Sequence, residues 1–247
     1  MSLRNRQQIA VADHDLTVVV TDDSSRTLKC LRTGVTWHSE SGALAESRLV
    51  FLENSGIAGI LSRKQSARVY ETGFGTGLNF WLTASAAIRN DALLEYVSCE
   101  TRFLSGDVIG LLEHGKLDQC QPAFDMFANP IFGRASIAPD SDSALRVQYS
   151  CAQLTVVNPH QHSVDSLEAD SFDAIYHDPF GPGDAPDLWT AELFQKMHAL
   201  LKPGGRLVTY CVKSAIQRRL TSVGFEVGKT RGPEGGKREV LIAEKLA

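Results

Sequence analysis

Residues 71–80 read ETGFGTGLNF, so Glu71 precedes glycines at 73, 75 and 77, directly after a β-prone run and at the opening of a helical pattern. Glycines at such a junction let the chain turn sharply and bring backbone close to a ligand that a Cβ would hold off. A dinucleotide loop G-x-G-x-x-G needs its third glycine at 78, where this chain has Leu78, and no Lys-Ser/Thr pair follows to make a P-loop. The next β-prone run, LLEYVSCE, closes on Glu100. About twenty residues past the first strand, α/β nucleoside-binding folds offer a carboxylate whose two oxygens accept two ribose hydroxyls. A third acid, Asp178, ends the apolar run of DAIYHDPF, at the strand rim to which the glycine loop also points.

These residues require strands that end at one edge. The chain from 68 alternates as required: RVYETG, a helix over LNFWLTASAAIRN, then LLEYVSCE. FLSGDVIGLLEHG reads as a helix, and the stretch carrying Pro122, Pro130 and Pro139 has no clear periodicity, leaving 114–145 unassigned. LRVQYS and QLTVVN read as pairing strands. FDAIYHD reads as a buried strand, followed by a helix over APDLWTAELFQKMHALL, the turn KPGG, the strand RLVTYC, a helix SAIQRRLTSVG, and strands FEVGKT and REVLIAE. Strands alternating with helices predict a Rossmann-like α/β fold: a mostly parallel, seven-stranded sheet covered by helices on both faces, with ligands at the carboxyl ends of its strands. Residues 16–36 read as a hairpin broken by TDDSSRT. The division is therefore a small β-rich extension over 1–45 and one domain over 46–247.

With 247 residues, 43% of them hydrophobic and 22% charged, the chain has material for one α/β core with an extension. No apolar stretch is long enough to span a bilayer, and MSLRNRQQIA lacks the apolar heart of a secretion signal, so a cytoplasmic protein is expected. Five cysteines, spread out and without a C-x-x-C pair, read as reduced structural thiols rather than disulfides or a zinc site. His160 and His162 have no third ligand nearby, so a loop or capping role outweighs a metal, and none is expected. The net charge of −4 does not mark the whole surface as a nucleic-acid binder, although phosphate contacts need positive charge only locally. Arg218, Arg219, Lys229, Arg231, Lys237 and Arg238 gather near the C-terminal end and either border the crevice as a phosphate rim or form a solvated face. Trp189 and Phe194 are expected to pack their helix on the sheet.

An acid two residues before alternating glycines resembles the first motif of class I S-adenosylmethionine-dependent methyltransferases. That resemblance implies S-adenosyl-L-methionine as cofactor, with Glu71, Gly73, Phe74, Gly75, Gly77 and Asn79 along its methionine part, Glu100 on its ribose and Asp178 at the reacting end. For the adenine amine it implies an acid after the third strand; here VVNPHQHSVDSL offers Asn158 or Asp165. Asp178-Pro179-Phe180 is similar to the D/N-P-P-F/Y/W sequence of amine methyltransferases. The longer strings DPFGPGDAPDLWTAELF, LKPGG, SCETRFL, GALAESRLVF and GKREVL, over residues 34 to 244, resemble the methyltransferase half of MnmC-type enzymes of 5-methylaminomethyl-2-thiouridine in tRNA.

The resemblance implies transfer of a methyl group to the 5-aminomethyl group of wobble (2-thio)uridine, with Asp178 and Phe180 catalytic and tRNA as partner. Pro179 stands where that family often has Gly, the adenine acid is missing or shifted, and no flavin-binding half follows, so a separate enzyme is expected to supply the aminomethyl group. Two other readings stay open: a methyltransferase of a small amine or another RNA, and a non-catalytic cofactor-binding or interaction module. Asp178 would position the amine and, as a fixed anion, stabilise positive charge moving onto nitrogen. With an ordinary pKa of ~3.9 against about 10 for an aliphatic amine, it is a poor base unless burial raises it. Phe180 would pack against the nucleobase or amine.

Overall fold

The computed structural model describes residues 6–11, 15–101, 104–135, 145–148, 152–157 and 164–246. Three short antiparallel strands come first: β1 (Gln8–Ala10), β2 (Leu16–Val20) and β3 (Arg26–Cys30), so the expected hairpin gains a third strand. Val18 and Leu28 pair across β2 and β3 and are fully buried. In the turn between those strands the Asp23 carboxylate accepts the Ser25 and Ala45 N–H groups, tying the hairpin to α1 (Ala43–Glu46). The helix widens into a π-helical stretch over Ser47–Glu53, a geometry that proteins tolerate mostly where it serves a site.

After α2 (Ile57–Ser62) the main sheet begins with β4 (Ala67–Thr72), followed by α3 (Leu78–Arg89), β5 (Leu94–Cys99), α4 (Gly106–Leu112) and α5 (Gln121–Ala135). Then come β6 (Leu145–Gln148), β7 (Ala152–Val157), β8 (Phe172–His177), α6 (Ala191–Leu200), β9 (Leu201–Thr209), α7 (Ser214–Ser222), β10 (Phe225–Arg231) and β11 (Glu239–Lys245). The strand order is β10-β11-β9-β8-β4-β5-β7-β6. The five strands from β9 to β7 run parallel, β11 is antiparallel to both its neighbours, and β6 is antiparallel to β7. The sheet thus has eight described strands rather than seven; LRVQYS and QLTVVN pair as read, with β6 at one edge.

Alternation along the strands fills both faces. Val69, Tyr96, Tyr176 and Val208 join α3 and the π-helical stretch on one side. Their neighbours Tyr70, Val97, Ile175 and Leu207 meet α6 and α7 on the other, with Trp189 and Phe194 packed there as expected. The small N-terminal sheet lays Leu16, Val18 and Leu28 on Leu104, Val108, Ile109 and Leu112 of the α4 region.

Two local readings change. KPGG is not a turn ahead of a strand: β9 already pairs Leu201 with Phe172, and Lys202–Gly205 form a bulge before Arg206 pairs with Ala174. The helix expected from Ala185 is interrupted: a 3-10 turn over Pro186–Trp189 is followed by α6, which starts at Thr190, whose hydroxyl accepts the Leu193 N–H. The unassigned region contains α5, which admits Pro122 because the first helical turn has no intrahelical use for its N–H. Cys30, Cys99, Cys120 and Cys211 are free thiols; Cys151 lies outside the described residues. Among the described residues no helix is long and apolar enough to cross a membrane.

Candidate active site

The strand order reverses between β4, whose sequence successor lies on one side, and β8, which joins it on the other, so a crevice opens beyond their carboxyl ends. Both Gly73 and Asp178 emerge there, and the Asp178 N–H donates to the Thr72 carbonyl at 3.2 Å. Gly73, Gly75 and Gly77 have φ of 88°, 54° and 76°, a region that L side chains rarely occupy. A Cβ on Gly73 would stand 3.2 Å from the Asp178 carbonyl oxygen, and one on Gly75 would stand 3.4 Å from the Trp37 ring. Glu100 sits at the end of β5 and its Oε2 accepts the Gly75 N–H at 2.9 Å, holding the loop down. Phe74 does not face the crevice: its ring is buried against Phe80 and beneath Gly77, so only its backbone is available to a ligand.

Behind the loop lies a chain of polar groups. Asn79, in the first turn of α3, donates from Nδ2 to Glu71 Oε1 and to Asp178 Oδ2, both at 2.9 Å. Ser98 donates to Glu71 Oε2 at 3.0 Å. Glu71 is fully buried, so it reaches the crevice only through Asn79, which in turn is a bridge between carboxylates. Desolvation raises Glu71 from 4.5 to about 8, against the hydrogen bonds from Asn79 and Ser98. Desolvation, followed by the negative charges of Glu46 and Glu71, pushes the Asp178 carboxyl well above its usual range, while Asn79 and Lys237 oppose. The adjacent His177 turns the other way, wedged 4.5 Å from Trp189, and burial pulls its imidazole down to about 3, which removes it as a base.

The Asp-Pro-Phe segment is pinned by its backbone. The Tyr210 hydroxyl donates to the Pro179 carbonyl and the Trp189 indole N–H to the Phe180 carbonyl, each at 2.8 Å. Phe180 is thereby left 44% exposed, edge-on to Trp37 at 5.8 Å. Trp37 comes from the N-terminal segment, where its N–H donates to the Leu28 carbonyl.

All six basic residues read as a candidate RNA rim, Arg218, Arg219, Lys229, Arg231, Lys237 and Arg238, are exposed. Arg219 also donates to the Trp189 carbonyl. Lys237 stands at the crevice itself, over the Tyr210 ring. Asn158 lies outside the described residues, as do His160 and His162, and no group of potential metal ligands occurs among the described residues. Trp37, Glu46 and Tyr210 carry no role in the sequence reading; the ESRLVF string around Glu46 was the available signal.

Residues 125–246 match a family described as S-adenosyl-L-methionine-dependent methyltransferase. Over that half, the chain is similar to the S-adenosyl-L-methionine-dependent methyltransferases. It is 32% identical over 219 residues to the tRNA 5-methylaminomethyl-2-thiouridine biosynthesis bifunctional protein MnmC of Paracidovorax citrulli, covering 86% of this chain and 33% of that protein. The MnmC of Ralstonia nicotianae is 31% identical over 214 residues, covering 84% of this chain and 31% of its own length. The chain thus spans about a third of the curated relatives it matches. Among solved structures, MNMC2 from Aquifex aeolicus superposes with a TM-score of 0.73 at 22% identity, covering 98% of this chain and 71% of that one. Spermidine synthase from Thermotoga maritima superposes at 0.56 and 18% identity, covering 98% and 73%. At these identities both show a shared fold.

The methyltransferase cofactor fits what the residues provide. Three left-handed glycines make a cradle that a Cβ would obstruct, the Glu100 carboxylate stands beside that loop, and Asn79 Oδ1 is buried without a hydrogen bond.

Glu71 also sets a pH dependence of stability. Its folded pKa lies above its unfolded one, so its contribution is full below about pH 4.5 and is lost as pH rises through about 8. Glu71→Gln, which keeps an acceptor for Asn79, is expected to flatten that decline. Urea unfolding at pH 6 and pH 9 checks it: wild type should lose more stability between the two than the variant.

Proposed function

We propose that this methyltransferase N-methylates the 5-aminomethyl group of (2-thio)uridine at the tRNA wobble position, in the cytoplasm, using an aminomethyl group supplied by a separate enzymatic activity. The observation that carries the reading is Asp178: a partly buried carboxylate at the switch point, one residue pair away from an exposed aromatic wall. The resemblance to the methyltransferase part of MnmC supports the choice of acceptor.

When bound, S-adenosyl-L-methionine supplies an electrophilic methyl group on sulfur. The glycine loop and Glu100 hold it, and Asp178 faces the reacting end. Fixing both partners in a near-attack arrangement is worth roughly 7–11 kcal/mol of barrier. An ordinary aspartate is a poor base for an amine; burial and the negative charges of Glu46 and Glu71 raise the proton affinity of Asp178. The side chain therefore accepts an N–H of the amine and takes the proton that leaves nitrogen, a transfer an ordinary carboxylate would resist. Phe180 and Trp37 flank the pyrimidine ring. Exposed Arg218 and Arg238 meet the RNA backbone.

Removing Phe180 should cost affinity rather than turnover: Phe180→Ala raises KM for RNA by about 5- to 150-fold, the range of one base–aromatic stack, with kcat little changed in steady-state kinetics. The acceptor is tested by mass spectrometry of tRNA nucleosides from a strain lacking the protein. The 5-methylaminomethyl uridines should be replaced by their 5-aminomethyl precursors; an unchanged wobble uridine removes this acceptor.

A further inference from the structure

Glu46 ends α1 where the helix widens, with its side chain 7% exposed. Its Oε2 accepts the Ser39 N–H at 2.7 Å, whereas Oε1 is buried and takes no hydrogen bond. A carboxylate oxygen withdrawn from water without a donor is expensive, so a built-in ion pair would normally close on it. The cation beside it does not close: Lys237 Nζ stays 3.7 Å from Oε1, beyond hydrogen-bond range. That ammonium lies over the face of Tyr210, 3.7 Å from the ring centroid. The Tyr210 hydroxyl is anchored to the Pro179 carbonyl, which places the ring beside Asp178. The charges of Glu46 and Lys237 both act on Asp178.

Resting on the amine acceptor proposed above, we propose that Glu46, Asp178 and the Tyr210 face form a box for the substrate's alkylammonium group, and that Lys237 fills it as a stand-in until the substrate displaces it. Two carboxylates and a π-face select a small cation and leave a neutral hydroxyl of equal size uncompensated. Lys237 is suited to leave: it rises from the segment joining β10 to β11, 45% of its side chain is exposed, and its flexible stem can carry the charge into water. In the loaded box a proton passes from the ammonium to Asp178, freeing the nitrogen lone pair. That pair forms the new nitrogen–carbon bond while the broken sulfur–carbon pair stays on sulfur, and Glu46 stands beside the positive charge gained by nitrogen. Glu46 then belongs to the substrate site, although it sits on the first helix and the other acids sit on the main sheet.

The test uses calorimetry on enzyme saturated with S-adenosylhomocysteine, with three probes: 5-aminomethyluridine, benzylamine and benzyl alcohol. Benzylamine carries an aminomethyl cation on a planar ring without being a uridine, so it reads the box alone. Wild type should prefer benzylamine to benzyl alcohol by about tenfold or more, and Glu46→Gln should abolish most of that preference while keeping S-adenosylhomocysteine affinity. Lys237→Met should bind benzylamine more tightly than wild type. Absence of the preference in wild type, or its survival in Glu46→Gln, overturns the box. Weaker benzylamine binding by Lys237→Met overturns the stand-in. If Glu46→Gln does not fold, Tyr210→Leu replaces it with the same expected loss of preference. Selective binding of benzylamine with no binding of 5-aminomethyluridine keeps the box and removes the uridine acceptor.

Discussion

Asp178→Asn is expected to lower kcat by about 10²- to 10⁴-fold while S-adenosylmethionine affinity stays within about threefold of wild type. The amide keeps the shape of the carboxylate and a partner for Asn79, whose Nδ2 now donates to Asp178 Oδ2. It removes the negative charge and the capacity to take a proton. Burial has raised the proton affinity of this acid, so both losses fall on the transfer step rather than on folding. Single-turnover transfer to an anticodon stem-loop carrying 5-aminomethyluridine, with calorimetry of the cofactor, checks the split. A variant that turns over within about tenfold of wild type would mean that Asp178 only shapes the turn.

Gly73→Val should act on the opposite partner. The residue has φ of 88°, and its Cβ would stand 3.2 Å from a backbone carbonyl that closes the same crevice. A side chain in that region costs ~1–2 kcal/mol or forces the loop to move; charged to the cofactor site, that is roughly 5- to 30-fold in Kd. Gly228→Val is the matched control, since its φ is ordinary and a Cβ there meets nothing within 4 Å. Equal cofactor affinity in the two variants would show that the loop does not line the binding site.

The parts of this site that rest on local chemistry are legible in the sequence. Three glycines directly after a strand report a backbone conformation, and they adopt it. Glu100 and Asp178 are recognisable because apolar runs identify the strands that they terminate. Glu46 is not recognisable in that way: an acid in a short helix looks like any solvated acid, and only the tertiary fold buries it beside Ser39 and Lys237. Trp37 and Lys237 have the same character, since each is ordinary in its own segment and acquires a partner from another. Phe74 shows the reverse error, a residue inside the motif whose ring the core takes. The strands were readable from their apolar runs, the pairing of LRVQYS with QLTVVN included, although the strand count was not: the sheet has eight described strands. KPGG misled because its composition matches a turn, while the pairing of Leu201 with Phe172 carries the strand through it as a bulge.

The acceptor side of the crevice is furnished from both extremities of the polypeptide: Trp37 and Glu46 from the early part, Lys237 from the connection that inserts β11 between β9 and β10. During ribosomal synthesis the glycine loop, Glu100 and Asp178 therefore all emerge before the cation that neutralises their neighbourhood, and contacts this distant along the chain form slowly. The wall that carries Lys237 is therefore the last part of the crevice to be synthesised.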